Sequence, residues 1–357
     1  MNGLRRAALA LALLLTGCAS AMFPVGERRE AIFTVPTDDG WTLALHHFPP
    51  AAGVAPKPIP VILCHGIMSN KYTWDLTDRL SFAAWLARRG YDVYALDLRG
   101  GGESLKPGWL DPQSYTYTFD DYVLHDLPAA IEWVRGRTGA PQVHWIGHSM
   151  GGMVMYGYME RVGQSALRSV AVVGSPPLLP THVPIMTESM DLFPLVEFFF
   201  DRLPTGDLTT LAAPWSGRPL LAPLNILWNY DNLEGDAARQ LAAHGTANLS
   251  ARVVRQLIDS AKAGALRSAD GTWDYTAELT RVTLPILFVA GSLDHLGAPG
   301  VLMQGFARVA STDKHFEVMG RANGYRADYG HLDLTIGRHA PEEVYPLLLD
   351  WLQAHDR

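Results

Sequence analysis

The chain reads as an α/β protein: a mostly parallel sheet covered on both faces by helices, with a helical cap inserted after the sixth strand. Three observations predict this. Short apolar runs without period-two alternation recur between helical stretches, the pattern of parallel strands buried on both faces. One such run, Val143-His144-Trp145-Ile146, passes through Gly147-His148-Ser149-Met150-Gly151-Gly152 straight into Met153-Val154-Met155-Tyr156, a strand, a tight turn and a helix in succession. The stretch from Pro176 to about Thr280 breaks the alternation with prolines and short helical pieces, and it is far too long to be a structureless loop in a compact domain.

Taken in order, Ala31 to Pro36 and Trp41 to Phe48, joined by Thr37-Asp38-Asp39-Gly40, predict a hairpin with a glycine turn. A strand from Ile59 to Cys64 follows, then a helix around Ser81 to Arg88, a strand from Tyr91 to Leu96 and a helix from about Tyr122 to Arg137. After Val143 to Ile146 and its turn come a helix and a strand from Ser169 to Val173. Beyond the insertion, which shows no clear strand, Leu284 to Gly291 reads as a buried parallel strand and Lys314 to Met319 as another. The last helix carries Val344, Leu347, Leu348, Trp351 and Leu352 on one stripe. The expected division is a signal peptide over 1–17, a membrane-proximal linker over 18–30, the first part of the core over 31–175, the cap over 176–280 and the rest of the core over 281–357.

Ser149 stands at the apex of a glycine-flanked strand-to-helix turn. Such a turn strains the backbone and leaves no room for Cβ atoms between strand and helix, and it lifts the serine oxygen out of the fold. A serine hydroxyl is a weak nucleophile until an imidazole takes its proton, and the imidazole needs a carboxylate to fix its tautomer and stabilise its charged form. With this elbow the partners follow in the order serine, acid, histidine, on loops after later strands. Asp294, in Ser292-Leu293-Asp294-His295-Leu296 after the strand ending at Gly291, is the expected acid. His331, in Asp328-Tyr329-Gly330-His331-Leu332-Asp333 after the last strand, is the expected base. Asp328 and Asp333 flank His331 too closely to come from a separate strand end. An oxyanion hole requires two backbone N–H groups: those of Met150, after the nucleophile, and Ile67, after Val61-Ile62-Leu63-Cys64-His65-Gly66. His65 and His148, beside these groups, are read as structural.

Residues Met1 to Gly17 hold Arg5 and Arg6 and then an apolar run from Ala7 to Leu15, too short to span a bilayer as a folded helix. The run closes on Leu15-Thr16-Gly17-Cys18, which resembles the bacterial lipobox, where the cysteine becomes the lipidated first residue after cleavage. The resemblance implies a membrane anchor at Cys18, because two acyl chains already give stable attachment. Ala19 after it is not an acidic inner-membrane retention signal, which favours the outer membrane. Cys64 would then lack a disulfide partner, and its apolar strand makes it a buried packing residue. Cleavage leaves 27 basic against 36 acidic residues, a net charge of −9 in place of −7. The roughly 340 remaining residues suggest about two domains by length alone. No basic patch suggests nucleic acid, and no His/Cys/Asp spacing rises to a metal site. Gly100-Gly101-Gly102 lacks the Lys and Ser/Thr of a phosphate loop and is read as a turn. No cofactor and no protein partner is expected.

These residues resemble the α/β-hydrolase superfamily and, more narrowly, the acid lipase family of gastric and lysosomal lipases. The narrower likeness rests on Leu63-Cys64-His65-Gly66-Ile67-Met68-Ser69-Asn70 with Trp74, on Thr118-Phe119-Asp120-Asp121 leading to Asp126-Leu127-Pro128-Ala129, on the serine elbow, and on Tyr329-Gly330-His331-Leu332-Asp333. It implies a Ser149, Asp294, His331 triad and hydrolysis of carboxylic esters through an acyl-enzyme. An acyltransferase would share the triad, and a non-catalytic lipid-binding lipoprotein could share the fold. The chain departs from the family at Met150, where eukaryotic members usually have glutamine. The run Leu192-Phe193-Pro194-Leu195-Val196-Glu197-Phe198-Phe199-Phe200 is read either as the cap's own core or as the lining of an acyl channel, and Trp215, Trp228 and Tyr230 stand equally open.

Overall fold

The computed structural model describes residues 20–26, 30–108, 114–178, 193, 197, 200–217 and 226–357. Its strands are β1 (Ala31–Pro36), β2 (Thr42–Phe48), β3 (Val61–Cys64), β4 (Val93–Asp97), β5 (Val143–His148), β6 (Leu167–Val173), β7 (Arg202–Leu203), β8 (Leu249–Ser250), β9 (Ile286–Gly291) and β10 (Lys314–Met319). Eight of them form one sheet in the order β1-β2-β4-β3-β5-β6-β9-β10. β2 is antiparallel to β1 and β4, and all other neighbours are parallel. This is the expected α/β-hydrolase architecture, with the cap leaving the sheet after its sixth strand.

The longer helices are α1 (Phe82–Ala87), α2 (Leu127–Thr138), α3 (Met150–Arg161), α4 (Thr205–Ala212), α5 (Gly235–His244), α6 (Ala251–Ala263), α7 (Pro299–Arg308) and α8 (Ala340–Ala354). Side chains alternate between two cores, which explains the unbroken apolar strands. Ile62, Cys64, Ile286 and Phe288 face α2 and α3, whereas Val61, Leu63, Leu287 and Val289 face α1 and α8. On α8 Val344, Leu348 and Leu352 are buried, while Leu347 and Trp351 are partly so.

Two expectations need correction. The helix predicted to begin near Tyr122 begins at Phe119, where the Thr118 backbone N–H and hydroxyl both donate to Asp121 Oδ2 at 2.6 and 2.8 Å, and it passes through a π-helical turn over Tyr122–Asp126. The cap is not purely helical: β7 and β8 pair as a two-residue antiparallel ribbon, too short to leave a period in the sequence. The cap is seated on the core by Phe119 N–H donating to Gln256 Oε1 (2.9 Å) and by Ser250 Oγ donating to the Tyr115 and Tyr117 carbonyls. In the ambiguous apolar run, Phe193 packs with Ala251, Ile258 and Ala261 as cap core, and Phe200 is exposed. Phe198 and Phe199 lie outside the described residues, as do Cys18 and the signal segment.

Candidate active site

β5 delivers Ser149 into a backbone conformation of φ 52° and ψ −122° at the start of α3. A non-glycine residue there stores about 1–3 kcal/mol of strain, which surrounding bonds hold. Ser149 N–H donates to the Val173 carbonyl (2.8 Å), and the Ser149 carbonyl accepts from Gly152 and Met153 N–H (3.0 and 3.2 Å). The flanking glycines are needed for close approach. A Cβ on Gly151 would lie 2.6 Å from the His65 carbonyl oxygen, and one on Gly147 would overlap the Gly151 backbone.

The three residues expected to act together meet. Ser149 Oγ lies 2.9 Å from His331 Nε2, and His331 Nδ1 lies 2.8 Å from Asp294 Oδ2. All three are buried. The other oxygen of Asp294 accepts from Leu296 and Gly297 N–H at 2.9 and 2.7 Å, so the carboxyl group is fixed while it faces the imidazole. Asp328 and Asp333 are committed elsewhere. Asp328 Oδ1 accepts from Ser292 Oγ (2.9 Å) and Arg321 N–H (3.0 Å). Asp333 accepts from Gly330 N–H, Asn229 N–H and Asn232 Nδ2, and burial pushes its carboxyl up to about 6.

The backbone groups expected to form an oxyanion hole border the same serine. Met150 opens α3, where the first N–H groups of a helix have no intrahelical acceptor. Ile67 follows Gly66, whose backbone comes so close that a Cβ there would lie 2.9 Å from Ser149 Cβ. The next residue, Met68, has φ 58° and is clamped by the cap. Its carbonyl accepts from Ala247 N–H (2.8 Å), Ser69 Oγ donates to the Gly245 carbonyl (2.9 Å), and Asn70 Nδ2 donates to the His244 carbonyl (2.7 Å). The loop carrying Ile67 is thus ordered in part by the cap.

Both histidines read as structural hold functional backbone in place. His65 Nε2 accepts from Leu98 N–H (3.1 Å), so Nδ1 carries the proton and donates to the Gly66 carbonyl at 2.7 Å. His148 Nε2 donates to the His331 carbonyl at 3.0 Å. Burial, reinforced by the neighbouring His331, pushes His148 down to about 3, and it stays neutral. The contact from His148 to the His331 backbone was not visible in sequence, because 183 residues separate the two. Cys64 is buried in β3, with its thiol pushed well above the ordinary range by burial.

Two hollows are of note, and the first borders this region. One of about 320 Å³ is lined by Trp228, Asn229, Tyr230 and Asp231 of the cap together with Leu293 and His295, the neighbours of Asp294. A larger one of about 640 Å³ lies apart from the triad, over Glu30, His46, Lys71 and Asp97. Those groups pair among themselves: Glu30 and Asp97 both bond His46, and Glu30 also holds Lys71. Among the described residues one group could hold a metal ion by spacing, Asp38, Asp39 and His125; both acids are exposed, and Asp39 already pairs with Arg99.

Comparison with known proteins places this fold. The chain is similar to a tear acid lipase-like protein of Mesocricetus auratus, 35% identical over 140 residues that cover 37% of this chain and 34% of that protein. It is similar at greater length to the gastric triacylglycerol lipase of Mus musculus, 24% identical over 350 residues that cover 88% of this chain and 86% of the relative. Among solved structures, a soluble variant of monoglyceride lipase from Saccharomyces cerevisiae, in complex with a substrate analogue, superimposes with a TM-score of 0.63 at 17% identity. That superposition covers 93% of this chain and 99% of the other. The family model described as the alpha/beta hydrolase fold matches residues 59–316, well over half of the sequence, and the chain therefore belongs to the alpha/beta hydrolase family.

Proposed function

We propose that the protein is a serine hydrolase of the lipase and esterase type, cleaving carboxylic esters through an acyl-enzyme. The observation that carries this reading is the unbroken run of short contacts from Ser149 Oγ through His331 to Asp294, beside two candidate oxyanion donors. Its relatives named as lipases support it. Ser149 attacks the ester carbonyl as His331 Nε2 takes its proton. The resulting oxyanion is met by the N–H groups of Met150 and Ile67, and His331 returns the proton to the departing alcohol. Water then repeats the sequence on the acyl-enzyme, with His331 again as base, and releases the acid. Asp294 holds the imidazole with Nδ1–H toward itself.

The direct experiment is covalent. A serine-directed alkyl phosphonate is expected to modify the protein at one site, with the mass on the peptide containing Ser149. Modification of a different residue, with Ser149 untouched, would overturn the assignment.

The second part of the reading is location. We propose that the protein is lipidated at Cys18 and held in a bacterial cell envelope at the outer membrane, on the strength of the charged start, the apolar run and Leu15-Thr16-Gly17-Cys18. No helix among the described residues is long and apolar enough to cross a membrane. Mass spectrometry of the mature protein is expected to find an amino-terminal cysteine carrying acyl chains, and Cys18→Ala should abolish that mass. An unmodified terminus at a residue after Cys18 would refute the lipobox reading.

A further inference from the structure

Among the described residues, the three most exposed large apolar side chains are Met22 (62%), Leu208 (61%) and Trp215 (56%). They lie together. α4 runs directly into a 3₁₀ turn over Ala213–Trp215, so Leu208, Ala212 and Trp215 fall at i, i+4 and i+7 and share one outward stripe. The inward stripe of the same run holds Gly206 and Ala213, both buried. Met22 joins at the Trp215 end, because it and Pro214 border one hollow.

Met22 is held there by the docking of its own segment on the cap. Ser20 Oγ donates to the Ala243 carbonyl (3.3 Å), His244 Nε2 donates to the Phe23 carbonyl (2.9 Å), and Gln240 Nε2 donates to the Pro24 carbonyl (2.7 Å). The Phe23 ring packs among Ala213, Ala242 and Ala243, with the Arg239 guanidinium over it. The part of the expected linker that the structure describes is therefore a strap on α5. Cys18 precedes Ser20 by two residues, and an extended chain spans at most about 3.6 Å per residue, so a lipid on Cys18 enters its bilayer within about 7 Å of that strap.

We propose that the stripe of Met22, Leu208 and Trp215 is a membrane-docking face, that its occupant is the phospholipid surface in which the acyl chains of Cys18 sit, and that the cap consequently lies against the bilayer. This rests on the lipidation proposed above. The charges beside the stripe suit the role despite the acidic balance of the chain, since Asp207 pairs with Arg202 and Asp236 with Arg239. A tryptophan at the edge of an apolar patch is suited to the headgroup boundary, its ring amphipathic. The acyl chains supply attachment and the stripe supplies orientation, so ester carried in the bilayer meets the cap without first crossing water. The substrate class implied is a membrane-resident acyl ester.

The test uses the full-length lipidated protein in vesicles of phosphatidylethanolamine and phosphatidylglycerol containing brominated lipid. The difference in fluorescence between the parent and Trp215→Phe isolates residue 215 from the other nine tryptophans. That difference is expected to be quenched by bromine near the headgroups and protected from aqueous iodide. The double variant Leu208→Glu, Trp215→Glu is expected to remain vesicle-bound and to keep its rate on a water-soluble acetyl ester, while losing about tenfold or more on a long-chain ester embedded in the vesicle. A Trp215 signal open to iodide and blind to bromine in the lipidated protein overturns the proposal, as does equal loss of both rates by a folded double variant. The readings beneath it fail in other ways. An unlipidated amino terminus refutes the anchor and with it this docking face, whereas absence of activity on every ester refutes the hydrolase reading and leaves the quenching result intact.

Discussion

Ser149→Ala is expected to lower turnover on carboxylic esters by roughly four to six orders of magnitude while leaving the fold and substrate binding close to the parent. The geometry separates these effects. Ser149 holds its turn through main-chain groups, its N–H on the Val173 carbonyl and its carbonyl under Gly152 and Met153, and alanine keeps all of them. Serine and alanine carry the same Cβ into the φ of 52°, so the backbone strain is also unchanged. What disappears is the oxygen 2.9 Å from His331 Nε2, and with it the covalent step. A small residual rate over water is expected from the backbone donors and from binding alone. Steady-state kinetics on an acetyl and a long-chain ester, together with unfolding midpoints of parent and variant, check the expectation. A variant that folds normally and keeps more than about a hundredth of the parental turnover would sink the assignment, because groups that remain cannot replace a missing nucleophile at that level.

The elbow was legible because several constraints coincide within ten residues: an apolar strand, glycines where a neighbouring backbone passes too close for a Cβ, and a helix immediately after. Asp294 and His331 were legible because parallel strands deliver loops to one edge of the sheet: Asp294 follows the end of β9 at Gly291 almost directly, and His331 lies on the longer loop that leaves β10 at Met319. The two-strand ribbon in the cap was not legible, since two residues on each side carry no period. Contacts made across long stretches of chain were equally hidden. Asn70 reaches the His244 carbonyl over 174 residues and Ser20 reaches Ala243 over 223, and nothing local in either sequence marks the other end. The same holds for His148. Its burial could be inferred from its place beside the elbow, but its bond to the main chain of His331 depends on where a distant loop returns. Local rules therefore recover the candidate triad and the sheet that carries it, while the parts that hold those groups steady emerge only with the folded chain.

The amide Asp294→Asn is expected to retain the fold yet lose about 10⁴ in turnover, and the reason lies in which oxygen does what. Oδ1 accepts from the Leu296 and Gly297 N–H groups, and the side-chain oxygen of asparagine can keep both bonds. That orientation turns the NH₂ toward His331 Nδ1, in place of the oxygen now 2.8 Å away. An amide donor there favours the imidazole with its proton on Nε2, the nitrogen that must accept from Ser149, so the base is loaded with the wrong hydrogen before reaction begins. The imidazolium formed in the transition state also loses the carboxylate that stabilises it. Asp328→Asn and Asp333→Asn should do far less to turnover, because neither side chain faces the imidazole. For Asp333→Asn the main cost should be stability, on the order of 1–3 kcal/mol, since it must now satisfy Gly330, Asn229 and Asn232 with a single acceptor oxygen. Turnover and unfolding free energy measured for all three amides give the decisive ranking. Asp294→Asn near parental activity, alongside either of the others falling as far as the serine knockout, would move the acid of the triad to that residue.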